Sequence, residues 1–449
     1  MRTTIRFWFR DQWHELTPAS PTDLVLPFLR EQCRLVGSKE GCNEGDCGAC
    51  TAILARHTGK GLEFQPVNTC ILPVAALDHA WLLTIEDIGD HHQLHPVQDA
   101  TVKANGTQCG FCTPGFVMSL VAGHLQPTLA EPLQLLAGNL CRCTGYGGLI
   151  DVARQLHTLP QDPHLQAKVE RAEAALKATD SEGLAMITPE GRIDAPTQLS
   201  DLLELRRIYP DATLVGGATD VGLWITKRLD QLAHVIFTGW CPELTAVEVR
   251  DRTLHIGAAA TYQAFRDPLL EQYPELTEWL DRLGSVQVRG RGTLGGNFAN
   301  GSPIGDSPPV LMALGATMTL LSYRGERTLP VDAFFKDYRI TDLGPDEVIG
   351  WFTVPRRTPG MRLQVDKVSR RMDQDISTAL IACALRGDAL RIGLGGLAAT
   401  PRLANHVMHS RNLRDLSLDI TPLSDLRASS HYRYQVTEGL IRSFMEEHG

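Results

Sequence analysis

The chain reads as an α+β protein of several separately cored modules, and three observations say so. Its 449 residues are too many for one core at a usual domain size of about 150 residues. Eight of its eleven cysteines fall into two groups of four, all within the first third of the chain. From about residue 188 the texture changes, and strand-like or loop segments run twice into paired glycines. The composition, 43% hydrophobic and 21% charged, suits ordinary globular modules. A formal charge of −9 argues against a nucleic-acid binder, which would show a basic face. The first ten residues carry charges where a signal peptide has its apolar stretch. No run of about 18 apolar residues offers a membrane span. A cytoplasmic address is expected, and there clustered cysteines serve metals more often than disulfides.

Residues 1–86 form the first expected domain. Residues 4–9 and 51–55 are strand-like, and 23–35 is a candidate helix with Leu24, Phe28 and Leu35 near helical spacing. Cys42, Cys47, Cys50 and Cys70 follow C-x4-C-x2-C-x19-C, the spacing with which plant-type ferredoxins hold a [2Fe–2S] cluster. Gly41, Gly45 and Gly48 let the loop turn its amides inward at positive φ. A β-grasp ferredoxin fold fits. Zinc is the bland alternative, but zinc sites pair two knuckles, whereas here one C-x2-C stands beside a C-x4-C and a distant cysteine.

Residues 87–160 are expected to be a helical domain. Cys109, Cys112, Cys141 and Cys143 follow C-x2-C-x28-C-x-C. Helices are expected over 116–124, 129–136 and 146–159, with Thr113 as a cap and Pro114 in the first turn. The cysteine pairs then lie at helix ends, where free amides favour an anionic centre. His79, His91, His92 and His95 are expected in solvated loops, although His91, His92 and His95 are close enough in sequence to consider as metal ligands. Cys33, Cys241 and Cys383 stand alone and read as structural.

Gly41-Cys-Asn-Glu-Gly-Asp-Cys-Gly-Ala-Cys50, followed by Gln108-Cys-Gly-Phe-Cys-Thr-Pro-Gly115 and Asn139-Leu-Cys-Arg-Cys-Thr-Gly-Tyr146, resembles the iron–sulfur portion of the molybdenum hydroxylases, the xanthine oxidase family. The resemblance covers residues 1–160. It implies two [2Fe–2S] clusters, the second in a helical bundle, and it places Gln108 near a molybdopterin held by a partner chain.

Residues 161–187 read as a linker running over the surface and partly helical. The next domain, 188–360, holds a strand leading into Leu214-Val-Gly-Gly-Ala-Thr-Asp-Val221, and later Thr293-Leu-Gly-Gly-Asn297 followed by Ser302-Pro-Ile-Gly-Asp306. Paired glycines bring amides to a diphosphate unobstructed, and Thr219 and Thr293 add hydroxyls. With no G-x-G-x-x-G, a Rossmann site is disfavoured. The pair of motifs resembles the FAD domain of the same family, of the vanillyl-alcohol-oxidase type. That resemblance implies that Leu214, Val215, Gly216, Gly217, Ala218, Thr219, Asp220 and Val221 line the FAD diphosphate and ribose. It implies further that Thr293, Gly296 and Asn297 bind FAD, that Asp306 hydrogen-bonds it, that Ile349 packs near its ring and that Lys367 contributes. Ala218 departs from the family pattern, which often carries Asn there. By composition alone, Asp306 would be a turn residue and Lys367 a solvated one.

The last domain, 361–449, resembles the family's α+β flavoprotein C-terminal domain. Gly393, Gly395 and Gly396 read as a close-packed strand, and 437–449 as a final amphipathic helix with Leu440, Ile441 and Phe444. The segment 334–339 matches the family's dehydrogenase pattern, which implies Tyr338, Arg339 and Asp373 near NAD.

No general acid, base or nucleophile constellation stands out, so no catalytic residue is assigned. The chain leaves no region for a molybdenum domain. The resemblance therefore implies the iron–sulfur/FAD subunit of a two-chain xanthine dehydrogenase. It would pair with a large molybdenum subunit as a heterodimer or a dimer of heterodimers, and pass electrons through both clusters to FAD and NAD while hypoxanthine or xanthine becomes urate. Alternatives are the corresponding subunit of an aldehyde- or N-heterocycle-oxidising enzyme, a free-standing NADH-linked reductase, and a non-catalytic zinc-bearing interaction protein.

Overall fold

The computed structural model describes residues 1–89, 92–179 and 182–448. The chain separates into two compact units. The first comprises Met1–Thr197, Ala212–Phe237 and Gly284–Arg291, and the second comprises Gln198–Asp211, Thr238–Leu283 and Gly292–Gly449.

In the first unit, alternation in Ile5–Phe9 buries Ile5, Phe7 and Phe9. This strand sits between Gln12–Leu16 and Trp81–Leu83 in a five-stranded sheet completed by Thr51–Thr58 and Gly61–Asn68. The strand Ile5–Phe9 runs parallel to Trp81–Leu83 and antiparallel to Gln12–Leu16, the mixed pairing expected of a β-grasp. The helix expected over 23–35 is shorter. It starts at Val25–Pro27, continues as a wider turn over Phe28–Gln32, and ends where Arg34 turns left-handed at φ 57°. Leu35 lies outside it, its N–H on Leu29 O at 2.9 Å.

The helical part is built on Thr113–Leu125, buried from Gly115 to His124. Pro96–Lys103 and Gly147–Gln155 join it, with Val97, Leu149 and Val152 in a shared core. The helix expected over 129–136 shrinks to Gln134–Ala137, because Pro132 biases the residue before it away from helical backbone. Residues 161–187 depart further from a surface linker. Asp162 caps the helix Pro163–Lys177, and Leu165, Val169, Ala172 and Leu176 bury themselves in the same core. That spacing is helical, but the dense charge on the opposite face hides it in the sequence. The unit also contains a four-stranded sheet ordered Leu184–Thr188, Gly191–Ala195, His234–Phe237, Thr213–Val215.

The second unit has two larger antiparallel sheets beside a two-stranded hairpin. One is ordered Val247–Val249, Thr253–Gly257, Val348–Pro355, Thr317–Ser322, Gly325–Pro330, the other Arg362–Val368, Ala379–Arg386, Ala389–Gly395, Arg402–Leu403. Trp279, Phe298 and Phe352 anchor the first core. Cys383 packs with Ile392, Ile441 and Phe444 in another, to which the final helix Ser430–His448 contributes. Gly393 and Gly395 do the work expected of a close-packed strand. A Cβ on Gly393 would lie 1.9 Å from Pro309 O, so only hydrogen lets the helix Ser307–Leu314 settle on this strand. Among the described residues no helix is long and apolar enough to cross a membrane.

Two glycine substitutions should therefore move stability in opposite directions. Gly393→Ala forces strand and helix apart and should cost about 1–3 kcal/mol or more. Gly439→Ala, in the final helix with open space at its Cβ position, should gain about 0.5–1 kcal/mol. Thermal denaturation of the two variants checks both signs.

Candidate cofactor sites

The first thiol quartet assembles where the strand Thr51–Thr58 begins and its neighbour Gly61–Asn68 ends. Asn43 at φ 55°, Gly45 at 77° and Gly48 at 69° coil the loop so that its amides turn inward. The N–H groups of Glu44, Asp46 and Cys47 all donate to Cys42 Sγ, at 3.4, 3.4 and 3.3 Å. A Cβ on Gly41 would lie 2.8 Å from Cys47 Sγ. Cys50 and Cys70 are buried, and Asn68 Nδ2 braces the loop through Gly45 O at 2.7 Å. The thiols touch one another. Hydrogen bonds with Cys47 and Cys70, outweighing burial, hold Cys42 far below the ordinary thiol value. The same contacts push Cys47 and Cys70 up, and Cys70 lowers Cys50. Such amide-ringed thiolates suit an anionic iron–sulfur centre.

The second quartet pairs Cys112 with Cys141 and Cys109 with Cys143. Cys112, not Thr113, holds the cap position of Thr113–Leu125. Thr113 is the first helical residue, and its hydroxyl meets that of Thr107 at 2.7 Å. Burial and then Cys141 push Cys112 up to about 12. At Cys141 burial acts upward, but the Thr144 hydroxyl at 3.1 Å and the Thr144 amide at 3.4 Å, with further hydrogen bonds, hold the thiol low. Tyr146, left-handed at φ 66°, accepts the Cys141 N–H on its hydroxyl at 2.9 Å. Cys109, Cys143 and Gln108 are exposed. Among the described residues no three or more His, Cys, Asp or Glu side chains converge on a single-ion position. A binuclear centre takes two thiolates at each iron and so needs a wider arrangement than the tetrahedron around one zinc.

The two loops meet backbone to backbone. A Cβ on Gly48 would lie 2.1 Å from Gly138 O, and one on Gly115 would lie 2.1 Å from Gly48 O. Leu140 N–H donates to Cys47 O at 2.9 Å. The Asn139 amide donates to Gly48 O and Gly115 O at 3.2 and 3.3 Å and accepts from the Ser119 hydroxyl at 2.8 Å.

In the same unit, strand Thr213–Val215 feeds Gly216 and Gly217, then Ala218 at φ 68°, then the helix Val221–Lys227. Gly222 lets that helix settle on the segment carrying Cys70, since a Cβ there would lie 2.4 Å from Ile71 O. Lys227 Nζ donates to Cys42 O at 2.7 Å and pairs with Glu44 at 3.1 Å. Sequence reasoning missed Lys227, because nothing local marks a lysine that reaches a distant loop.

In the second unit, the Thr293 hydroxyl accepts the Gly296 N–H at 3.1 Å and caps Leu294–Ala299. Asn297 Oδ1 is buried without a hydrogen-bond partner, an open acceptor beside the glycine pair that a bound group can fill. Asp306 and Lys367 are buried and paired at 2.7 Å, so neither is a turn or surface residue. Ser377 Oγ donates to Asp306 Oδ1 at 2.5 Å, and Lys367 Nζ also donates to Arg282 O at 3.0 Å. Ser377 and Arg282 carry no sequence signal for this role. Ile349 is buried in Val348–Pro355 opposite Leu320. Tyr338 is exposed on the hairpin of Phe335–Asp337 and Ile340–Thr341, with the Arg339 guanidinium 5.7 Å from its ring. Asp373 is exposed.

His92 is exposed as expected, but His79 and His95 differ from expectation. His91 lies outside the described residues. His95 is buried, accepts the Val97 N–H on Nδ1 at 3.2 Å and caps Pro96–Lys103. His79 packs on Arg2 at 2.6 Å, beside Asp78. Lone Cys241 and Cys383 are buried and pushed up by burial.

Two families match the chain. One, described as a [2Fe-2S] binding domain, covers residues 84–154. The other, described as the FAD binding domain in molybdopterin dehydrogenase, covers residues 190–357. The chain belongs to the molybdenum hydroxylase family. It is 32% identical to a xanthine dehydrogenase of Drosophila pseudoobscura pseudoobscura over 86% of this chain and 34% of that protein. It is 29% identical to aldehyde oxidase 1 of Bos taurus over the same shares. It thus spans about a third of the length of these curated relatives. Among solved structures, a carbon monoxide dehydrogenase from Hydrogenophaga pseudoflava superposes with a TM-score of 0.53 at 27% identity, over 57% of this chain and 96% of that one. A [2Fe–2S] cluster and FAD are the cofactors these domains take; the Cys109 quartet and the glycine loops fit them, and the Cys42 quartet has the ferredoxin spacing for a second cluster.

Cys70→Ser should halve the iron content, removing the first cluster's signal while Cys143→Ser removes the other. Iron analysis with low-temperature EPR after reduction checks this. The His95 imidazole gives a second expectation. Burial, then His124, lowers it to about 4, against about 6.5 in an unfolded chain. The unfolded state therefore binds the extra proton between these values. The contribution is complete above pH ~6.5 and is lost as pH falls toward 4, by at most about 3 kcal/mol. His95→Asn, which keeps a cap, should flatten that slope in denaturant titrations.

Proposed function

We propose that this chain is the electron-transfer subunit of a xanthine dehydrogenase. It would take electrons from the molybdenum cofactor of a large partner subunit and deliver them to NAD during oxidation of hypoxanthine or xanthine to urate. The observation that carries this reading is the run of contacts within one unit. The Cys109 quartet is packed through Gly115 and Gly138 on the Cys42 loop, and Ile71, next to Cys70, is packed through Gly222 on the helix after the Gly216 loop. When bound, the clusters and FAD supply single-electron relay ending in hydride donation. The chain's own part is positional. Cys42, Cys47, Cys50 and Cys70 ligate one cluster, and Cys109, Cys112, Cys141 and Cys143 the other. Residues 214–221 contact FAD, as do Thr293, Gly296, Asn297, Asp306, Ile349 and Lys367. Tyr338, Arg339 and Asp373 serve NAD, and Gln108 faces the partner's molybdopterin. The domain division 1–86, 87–160, 161–187, 188–360 and 361–449, a cytoplasmic address and a dimer of heterodimers belong to the same proposal.

The aldehyde oxidase relative supports a second reading, the same relay serving an aldehyde- or N-heterocycle-oxidising partner. Isolation from the native host should yield a brown protein accompanied by a larger chain, and the complex should reduce NAD with xanthine at least about tenfold faster than with aldehydes or quinoline. A preference for aldehydes selects the second reading. Faster reduction of dioxygen than of NAD removes the NAD assignment, and a colourless zinc protein removes both readings.

A further inference from the structure

The guanidinium of Arg291 stands beside the Gly216–Gly217 loop with nothing to balance its charge. Its Nε is buried without a hydrogen-bond partner, and no carboxylate among the described residues acts on it. Its charged neighbour is another cation, Arg56, which is itself occupied with backbone carbonyls, Asp78 O at 2.7 Å among them. Burial and Arg56 push Arg291 down to about 10, which leaves it a cation at neutral pH. Arg291 lines a narrow cleft together with Gly217, Ala218, Thr219, Asn68 and Ile71.

A cation desolvated without a counter-ion is costly, and the cost falls when an anion arrives. The glycine loop beside it offers an anion backbone amides and the Thr219 hydroxyl but no charge, and position 218 carries only a methyl group at φ 68°. We infer that Arg291 supplies the counter-charge for the FAD diphosphate at the Gly216–Gly217 loop. A guanidinium offers a phosphate two parallel charge-assisted hydrogen bonds, which a lysine or an amide does not. The inference rests on the flavin reading above and adds to it the residue that makes the site select for a phosphorylated flavin.

The test uses the full chain with flavin removed and its iron–sulfur absorbance intact. Binding of FAD and of riboflavin, which lacks phosphate, is measured by quenching of flavin fluorescence at low and high salt. Arg291→Gln should weaken FAD by about 10- to 100-fold and flatten the salt dependence, while riboflavin changes by less than about twofold. Arg291→Lys should recover part of the loss. Unchanged FAD affinity in Arg291→Gln overturns the inference, as does equal weakening of FAD and riboflavin, which marks a packing role. A wild-type chain that takes up no FAD removes the flavin reading and this inference with it, and the wild-type arm alone distinguishes that case.

Discussion

Contact between backbones at glycine is the constraint on which the rest of the first unit depends. Gly48 and Gly115 admit no Cβ because each faces a carbonyl at a distance no side chain tolerates. The two thiol loops therefore approach as closely as two chains can. Asn139 then adds a side-chain hydrogen bond to Gly48 O and to Gly115 O across the approach. Gly222 repeats the device between the Cys70 segment and the helix after the flavin loop. A relay by single-electron steps needs its stations near one another, and here nearness is secured by the absence of side chains at three positions.

The two quartets are enclosed differently. Cys50 and Cys70 are 1% and 2% exposed, and the loop amides turn on Cys42. Cys109 and Cys143 are exposed, beside Phe111 and Leu140 at 44% and 42% exposure. Cluster potentials respond to hydrogen bonds and solvent at the sulfurs. The outer quartet is rimmed with exposed apolar side chains, whereas two thiols of the inner quartet are closed off from solvent.

Chemistry that recurs at fixed spacing was legible in the sequence. The gathering of the two thiol quartets, the left-handed Gly45 and Gly48, the strand before Gly216 and the glycine strand at Gly393 stand where the residues placed them, whereas Gly41 is not left-handed. What was not legible depends on long-range packing. The helix Pro163–Lys177 hides its apolar stripe among charges, and the expected helix over 23–35 is cut short by a left-handed Arg34. His95 looks like a loop histidine until its cap and burial are seen. Ser377 and Lys227 are ordinary in sequence and acquire a role only through partners far along the chain.

The Asp306–Lys367 pair shows why burial changes the meaning of a residue. Removing both charges from water costs more than their attraction alone returns, so such a pair is weak evidence for stability. Its remaining valences are met, however, by the Ser377 hydroxyl and by Arg282 O, and a fully satisfied network fixes geometry where a half-satisfied one would not. The pair ties the segment before Ser307–Leu314 to the strand Arg362–Val368 and to Ser377. Truncating either partner strands a buried charge, whereas apolar replacement of both leaves none. Such a pair fixes the orientation of the segments it joins more than it adds to stability.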